Sequence, residues 1–405
     1  MKFAHMADVH IGSFRDEKLK ELSMESFSKA IDICMEENID FLLISGDLFN
    51  TALPSIENLK QVIKKLKELK NWEIPIYIIP GSHDYSPSGK TMIDVLEEAE
   101  LLKNVVKGRV DNNTLKLIFT IDKKTGAKIT GIMGKRGMLD KKYYEALDKT
   151  QLEEEQGFKI FMFHNAITEL RSQEFEQIES TPLSLLPKNF DYYAGGHLHF
   201  FNQSSEDGYK NVVYPGPIFP TNFQEIEKIK SGSFVIYEDG EIKKIDINTK
   251  NVFTITINAN NKLPTDVEEE IINKTKQQEF INTIITIRIE GKLREGKPQD
   301  IHFKEIFENF YNKGAFFVLK NTNKLLSKDY EDIKTIYEKP EEIEKAIIEE
   351  NLGKIKVNFD EKEKAIELIK VFSKEKREEE KQYEYEKRII EEANLVLNID
   401  STLID

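Results

Sequence analysis

The sequence has a single cysteine, Cys34, which excludes an intrachain disulfide and suits a reducing compartment. Cys34 lies in a helical pattern beside Ile31 and Ile33, the setting of a buried, inert thiol. There is no excess of basic charge: 58 Lys and Arg face 72 Asp and Glu, a formal net of −14. That balance argues against a simple basic nucleic-acid binder, although local patches or a bound cation set the field at any one site. Long apolar runs are missing. The longest are of strand length, so no membrane span is expected. The start, MKFAHMADVH, turns polar too soon for a secretory signal. A cytoplasmic location is therefore expected. Repeats and Gly/Ser- or Pro-rich linkers are also lacking.

The chain has 405 residues and 39% hydrophobic content, too long for one compact core and suited to two or three domains. Over residues 1–235, short apolar runs at Lys2–Ala7, Asp40–Ser45, Pro75–Pro80, Lys159–Phe163 and Asp191–Ala194 alternate with helical patterns near Glu17–Glu37 and Ser55–Leu69. Such alternation predicts a layered α/β domain. Leu115–Gly134 reads as antiparallel with a turn at Lys123–Gly126, and Ser231–Ile247 as a hairpin turning at Asp239-Gly240.

After Asn248 the texture changes. Val252–Ile257 and Thr283–Ile289 alternate apolar and polar residues as half-buried strands do, and a helix near Asp300–Asn312 follows. From Pro340 a charged helix is expected, then a second from Asp360 to about Val396. Residues 340–405 hold 19 acidic and 12 basic side chains, so half of the net negative charge lies in this tail. The expected division is 1–248, 249–330 and 331–405.

Five of the seven histidines fall in short motifs, each after an expected strand: Asp8-Val9-His10, Gly46-Asp47, Gly81-Ser82-His83-Asp84, His164-Asn165 and Gly196-His197-Leu198-His199. In extended chain, residues i and i+2 point to one side, so Asp8 with His10, and His197 with His199, reach one cation together. Sites in α/β sheets form beyond the carboxyl ends of strands, where all five motifs converge. Imidazole and carboxylate donors suit manganese, iron or zinc in a working site. One histidine after a strand is more often a satisfied core or surface residue. Five such motifs in this order favour a metal site.

The set resembles the calcineurin-like metallophosphoesterases, whose pattern is D-x-H, G-D, G-N-H-D, H and G-H-x-H, over roughly residues 1–235. Within that superfamily it is most similar to the double-strand-break repair nucleases of the Mre-eleven/SbcD family, archaeal type. The similarity rests on the opening MKFAHMADVHIG, on Ser45-Gly46-Asp47-Leu48-Phe49, and on Tyr214-Pro215-Gly216 through Asn222-Phe223 and Gly232-Ser233-Phe234. The resemblance implies a layered β-sandwich flanked by helices, a small α+β DNA-capping domain, and a helical segment that binds an SMC-like coiled-coil ATPase of the Rad-fifty/SbcC type.

It further implies two Mn2+ ions. Asp8, His10, Asp47 and His199 would hold one, and Asp47, His164 and His197 the other, with Asp47 bridging. His83 would face the scissile phosphate rather than a metal. Asp84 would either orient His83 or serve the turn. Two departures stand out: Ser82 replaces the asparagine that commonly ligates the second ion, and Asn50 stands where some relatives carry a histidine.

The implied activity is a 3′-to-5′ exonuclease on duplex DNA and an endonuclease on single strands, nucleoid-associated. A homodimer through helices 55–69 and 91–102 is implied as well, with Ile56, Leu59, Ile63 and Leu66 on one and Met92, Val95 and Leu96 on the other. Basic residues at 288, 292, 294, 297, 320, 324 and 328 would meet DNA phosphates. Another phosphodiesterase of the superfamily and a DNA-tethering scaffold with a weakened metal site stay open as alternatives.

Overall fold

A computed structural model describes residues 1–86, 90–135, 139–171, 179–327, 348, 360–374, 376–377 and 382–397. By internal contacts the chain divides into two units. One comprises residues 1–257, 269–289 and 302–323; the other comprises 258–268, 290–301 and 324–405.

Two six-stranded sheets form the centre of the first unit. One runs, edge to edge, Glu241–Ile247, Gly232–Glu238, Lys2–Met6, Phe41–Ser45, Ile76–Ile79, Lys103–Asn104. The other runs Phe201–Glu206, Tyr209–Pro215, Tyr192–Gly196, Lys159–His164, Lys128–Ile132, Thr120–Ile121. Lys2–Met6, Phe41–Ser45 and Ile76–Ile79 are parallel, as are Lys128–Ile132, Lys159–His164 and Tyr192–Gly196. These strands are covered on both faces, which is why they read as continuous apolar runs rather than alternating ones.

Alternate side chains divide between the two faces. Ala4, Met6, Leu42, Ile44, Ile76 and Ile78 pack under helices Glu17–Glu36 and Ile56–Asn71. Phe3, Phe41, Leu43 and Tyr77 face the second sheet's Ile160, Met162, Tyr192, Ala194 and Val213. The rings of Phe3 and Phe41 stack at 4.9 Å, and Tyr192 meets Phe3 edge-on at 5.1 Å. The fold is thus the expected sandwich flanked by helices. Asp16 and Ser55 cap the two helices by accepting the amides of Lys18 and Asn58.

Most element bounds match the reading from sequence within a residue or two, but the helix expected at 91–102 ends early as Met92–Glu98, the one expected at Asp300–Asn312 starts at Phe303, and two larger corrections follow. Leu115–Leu117 does not join the strand Lys128–Ile132. It pairs back onto Gly108–Asp111 in a separate hairpin, and only Thr120–Ile121 pairs with Lys128–Ile132 across the turn. The hairpin at Asp239-Gly240 forms as expected.

The strands Asn251–Asn258, Thr283–Lys292 and Phe317–Leu326 make a three-stranded sheet, accompanied by helices Pro264–Thr275 and Phe303–Asn312. The second correction lies in the tail. The stretch from Asp360 is two helices, Glu361–Phe372 and Gln382–Leu397. They pack through Val371, Ile389 and Ala393, with Lys374 paired to Glu392 at 2.7 Å. The helix expected at Pro340 lies outside the described residues, apart from the single helical residue 348. No described helix is long and apolar enough to cross a membrane.

Candidate metal centre

All five motifs emerge at one edge of the sandwich, past the carboxyl ends of parallel strands. The first sheet supplies Asp8, His10, Asp47 and His83; the second supplies His164, His197 and His199. Close approach of the two sets needs bare backbone. A Cβ on Gly46, whose φ is +86, would lie 2.2 Å from His164 Nδ1, and one on Gly196 would lie 2.0 Å from the Ser45 carbonyl oxygen. Asp8, His10, Asp47 and His197 themselves have positive φ, at 52, 47, 53 and 88. Side-chain-bearing residues seldom hold that region, and backbone strain of this kind gathers at functional sites.

The donors crowd around Asp47. Its Oδ2 is 3.2 Å from His164 Nε2 and 3.6 Å from His10 Nε2, and its Oδ1 accepts the His83 amide at 2.7 Å. Asp8 Oδ1 is 3.6 Å from His199 Nε2 and 4.0 Å from His164 Nε2, while both its oxygens accept the His197 amide at 3.0 Å. Asp8, His10 and His199 form one close group, His10, Asp47 and His83 a second, and Asp8, Asp47 and His164 a third, each pair of groups sharing one residue. His197 falls in none of the three, although its ring lies 5.4 Å from that of His164.

Hydrogen bonds fix which ring nitrogens carry protons. His164 Nδ1 faces the Ser45 carbonyl at 2.8 Å, so that nitrogen must donate and Nε2 presents a lone pair. His199 Nδ1 likewise donates to Glu225 at 2.9 Å. Its Nε2 then meets His10 Nε2 at 3.2 Å. His10 Nδ1 and His164 Nε2 are buried without a hydrogen bond. His10 Nε2 can donate to His199 Nε2, but the unbonded His164 Nε2 beside the Asp8 and Asp47 carboxylates calls for a proton or a cation. The donor set therefore fits divalent metal.

Charge balance says the same. Burial opposes ionisation of Asp8 and Asp47, yet His199 holds Asp8 below the usual carboxylate range, and His164, His10 and His83 hold Asp47 far lower. Burial pushes His10 and His197 down to about 4. His164 is buried too, but Asp47 and Asp8 lift it to about 9. The hydrogen bonds and charges of Asp8 and Glu225 raise His199 well above its ordinary value against the same burial.

Around this centre, a cleft of about 550 Å³ is lined by His10, Asp47, Ser82, His83, His197, His199, Asn222 and Glu225 among others. His83 Nδ1 donates to the Asn50 carbonyl at 2.8 Å, which leaves Nε2 for the cleft. Asp84 does not touch that ring. Its carboxylate accepts the amides of Leu48 at 3.2 Å, Phe49 at 3.1 Å and Gly81 at 3.0 Å, the turn-holding role of the two considered. Burial and neighbouring Asp47 raise Asp84 to about 7. Glu225 was invisible in the motifs because it lies 26 residues beyond His199 on a helix of its own, Phe223–Ile229. Its one available signal is the Asn222-x-x-Glu225 spacing of a helix start.

The calcineurin-like phosphoesterase family model matches residues 1–201. Relatives named DNA double-strand break repair protein Mre11 extend the match. The one from Sulfolobus acidocaldarius is 31% identical over 72% of this chain and 75% of its own length. The one from Sulfurisphaera tokodaii is 28% identical over 82% of each. This chain belongs to the Mre11 family of calcineurin-like metallophosphoesterases. A third relative, from Archaeoglobus fulgidus, is 26% identical over 64% of this chain, and the match spans only 61% of that protein. As a member of the Mre11 family the chain is a metal-dependent phosphodiester hydrolase, and the overlapping donor groups of this cleft offer room for the family's dinuclear metal. Ser82 remains the local departure; its hydroxyl lies 3.5 Å from Asp47 Oδ2.

Proposed function

We propose that this chain cleaves DNA phosphodiester bonds at double-strand ends with two manganese ions. The observation that supports it most is the meeting of Asp8, His10, Asp47, His164 and His199 from two sheets, in a chain whose relatives carry the DNA-break repair name. Asp8, His10, Asp47 and His199 would hold one ion, and Asp47, His164 and His197 the other. When bound, two such ions supply Lewis acidity to the entering and leaving oxygens. Ser45 and Glu225 keep His164 and His199 in the ligand tautomer. Asp84 holds the Asp47 loop by the Leu48 and Phe49 amides and its own turn by that of Gly81. His83, anchored by Asn50, presents Nε2 to the cleft as the group that neutralises or protonates the leaving oxygen.

The remaining assignments belong to the same reading. Activity would be 3′-to-5′ on duplex ends and endonucleolytic on single strands, at the nucleoid. Helix Ile56–Asn71 packs inward through Val62, Leu66 and Leu69 but leaves Ile56 85% exposed, with Leu53 at 81% and Val95 at 54%. Of the stripes expected at a homodimer contact, Leu66 and Leu96 are buried and Leu59, Ile63 and Met92 pack against the chain's own core, so the contact would rest on Ile56 and Val95 with neighbouring Leu53. The helix pair Glu361–Phe372 and Gln382–Leu397 leaves Phe372, Ile390 and Leu395 exposed, which suits docking on a coiled-coil ATPase. Of the seven basic residues proposed for DNA, Arg288 is tied to Glu227 and Lys320 lies over the Phe303 ring; position 328 is outside the described residues.

Incubation with manganese and linear duplex, circular single strand or bis-p-nitrophenyl phosphate tests the reading. Cleavage of both DNAs supports it. Cleavage of the small ester alone would make the chain another phosphodiesterase, and cleavage of none would make it a scaffold.

A further inference from the structure

The short helix Phe223–Ile229 touches two places at once. On one side, Glu225 Oε1 accepts from His199 Nδ1 at 2.9 Å, while Oε2 accepts the Thr221 amide at 2.7 Å and its hydroxyl at 2.9 Å. Asn222 caps the helix by accepting the Glu225 amide at 3.0 Å. The carboxylate is thus held on both oxygens and is 18% exposed. On the other side, Glu227, 9% exposed, takes both the Nε and a terminal nitrogen of Arg288 in a forked pair, with Nε at 2.9 Å from Oε2. The Arg288 guanidinium also lies 5.3 Å over the Phe223 ring. Between them, Ile226 is fully buried with Leu19, Leu22, Phe219 and Ile284.

A helix of seven residues pinned at residues 223, 225, 226 and 227 has little room to shift at one contact without shifting at the others. We infer that this helix couples the strand carrying Arg288 to the metal ligand His199, with Glu225 and Arg288 as positioning residues at its two sides. The inference rests on the reading of His199 as a ligand. Coupling between two sites is reciprocal. The strand's position therefore sets how tightly the His199 ion is held, and the ion in turn steadies the strand. A partner that moved the small sheet would thereby tune metal loading without touching the cleft.

The full-length protein tests this by calorimetric titration with Mn2+. Carboxylates that hold a ligating histidine are worth about 10- to 100-fold in metal affinity, the loss expected for Glu225→Gln. Arg288→Met should weaken the same ion about 5-fold or more. Lys250→Met is the control. It breaks another ion pair on the same unit, Lys250 with Glu25 at 3.1 Å, and borders the apolar cluster under the helix only through the Phe316 ring, so it should leave affinity unchanged. The exchanged pair Arg288→Glu with Glu227→Arg should recover affinity.

Hydrogen exchange supplies the reverse reading: Mn2+ should slow the amides of residues 283–289 in the wild type and not in Glu225→Gln. Unchanged Mn2+ affinity in Arg288→Met, or an equal loss in Lys250→Met, overturns the coupling. His199→Ala separates the two levels. If it binds Mn2+ like the wild type, the ligand reading fails and the coupling with it. If it loses an ion while Arg288→Met does not, the coupling alone fails.

Discussion

The backbone amide of His83 donates to Asp47 Oδ1 at 2.7 Å, so the residue facing the cleft hangs on the carboxylate central to the donor set. The contact is made by main chain. Changing the His83 side chain therefore leaves the hold on Asp47 in place.

For that reason His83→Ala is expected to keep Mn2+ affinity within about 3-fold and to lose cleavage by about 100- to 10,000-fold, the worth of a general acid. Calorimetry beside a nuclease assay checks it. Retained cleavage would remove His83 from the mechanism.

Ser82→Asn should tighten the weaker manganese. The Ser82 hydroxyl stops 3.5 Å from Asp47 Oδ2, and a carboxamide oxygen reaches further and is a better donor to a hard cation. Titration of both proteins, fitted for two sites, reads the change. Equal or weaker binding in the variant refutes it.

Metal should also stabilise the fold. An ion that binds only the native state raises stability by about 2.7 kcal/mol at a concentration 100 times its Kd. Melting in EDTA and in saturating Mn2+ should differ accordingly. The difference should shrink in Asp47→Asn, because Asp47 lies within 3.6 Å of both His10 and His164.

His5 predicts a pH dependence. Its Nδ1 meets the Tyr192 hydroxyl at 3.0 Å and its Nε2 the Ser45 hydroxyl at 3.0 Å. Ser45 donates onward to the Ala194 carbonyl at 3.0 Å, so His5 Nε2 carries the proton and Tyr192 donates. Burial lowers the folded histidine to about 3 from an ordinary 6.5. Between those values the unfolded chain holds more protons, so stability rises with pH by up to about 1.4 kcal/mol per unit. It is fully present above pH 6.5 and lost as pH falls toward 3. Urea unfolding of wild type and His5→Gln at pH 5 and pH 7 isolates this: the variant should show the smaller pH difference. Identical differences would exclude His5 as the source.

The clustered Asp and His side chains were legible because each sits within a few residues of a strand end, and a strand end followed by Asp or His is a local pattern. Asp8, His10, Asp47, His164 and His199 meet as the motifs imply. Glu225 was not legible, since its partner is made by tertiary packing over 26 residues. The role of Asp84 was half legible: Gly81-Ser82-His83-Asp84 announces a turn, but only the fold shows that its carboxylate accepts the Leu48 and Phe49 amides from the neighbouring strand's loop. Leu115–Leu117 was misassigned because apolar spacing marks a strand without naming its partner. The tail was read as one long helix because charge and periodicity continue past Ser373, where helix Glu361–Phe372 ends.

The left-handed backbone at Asp8, His10, Asp47 and His197 bears on how this chain can be altered. Glycine at any of the four would relax the main chain, on the order of 1 kcal/mol each, while removing a donor. Selection by heat alone in metal-free medium would therefore reward such changes. A library of this chain screened only for survival at high temperature should drift toward proteins that fold better and cut nothing.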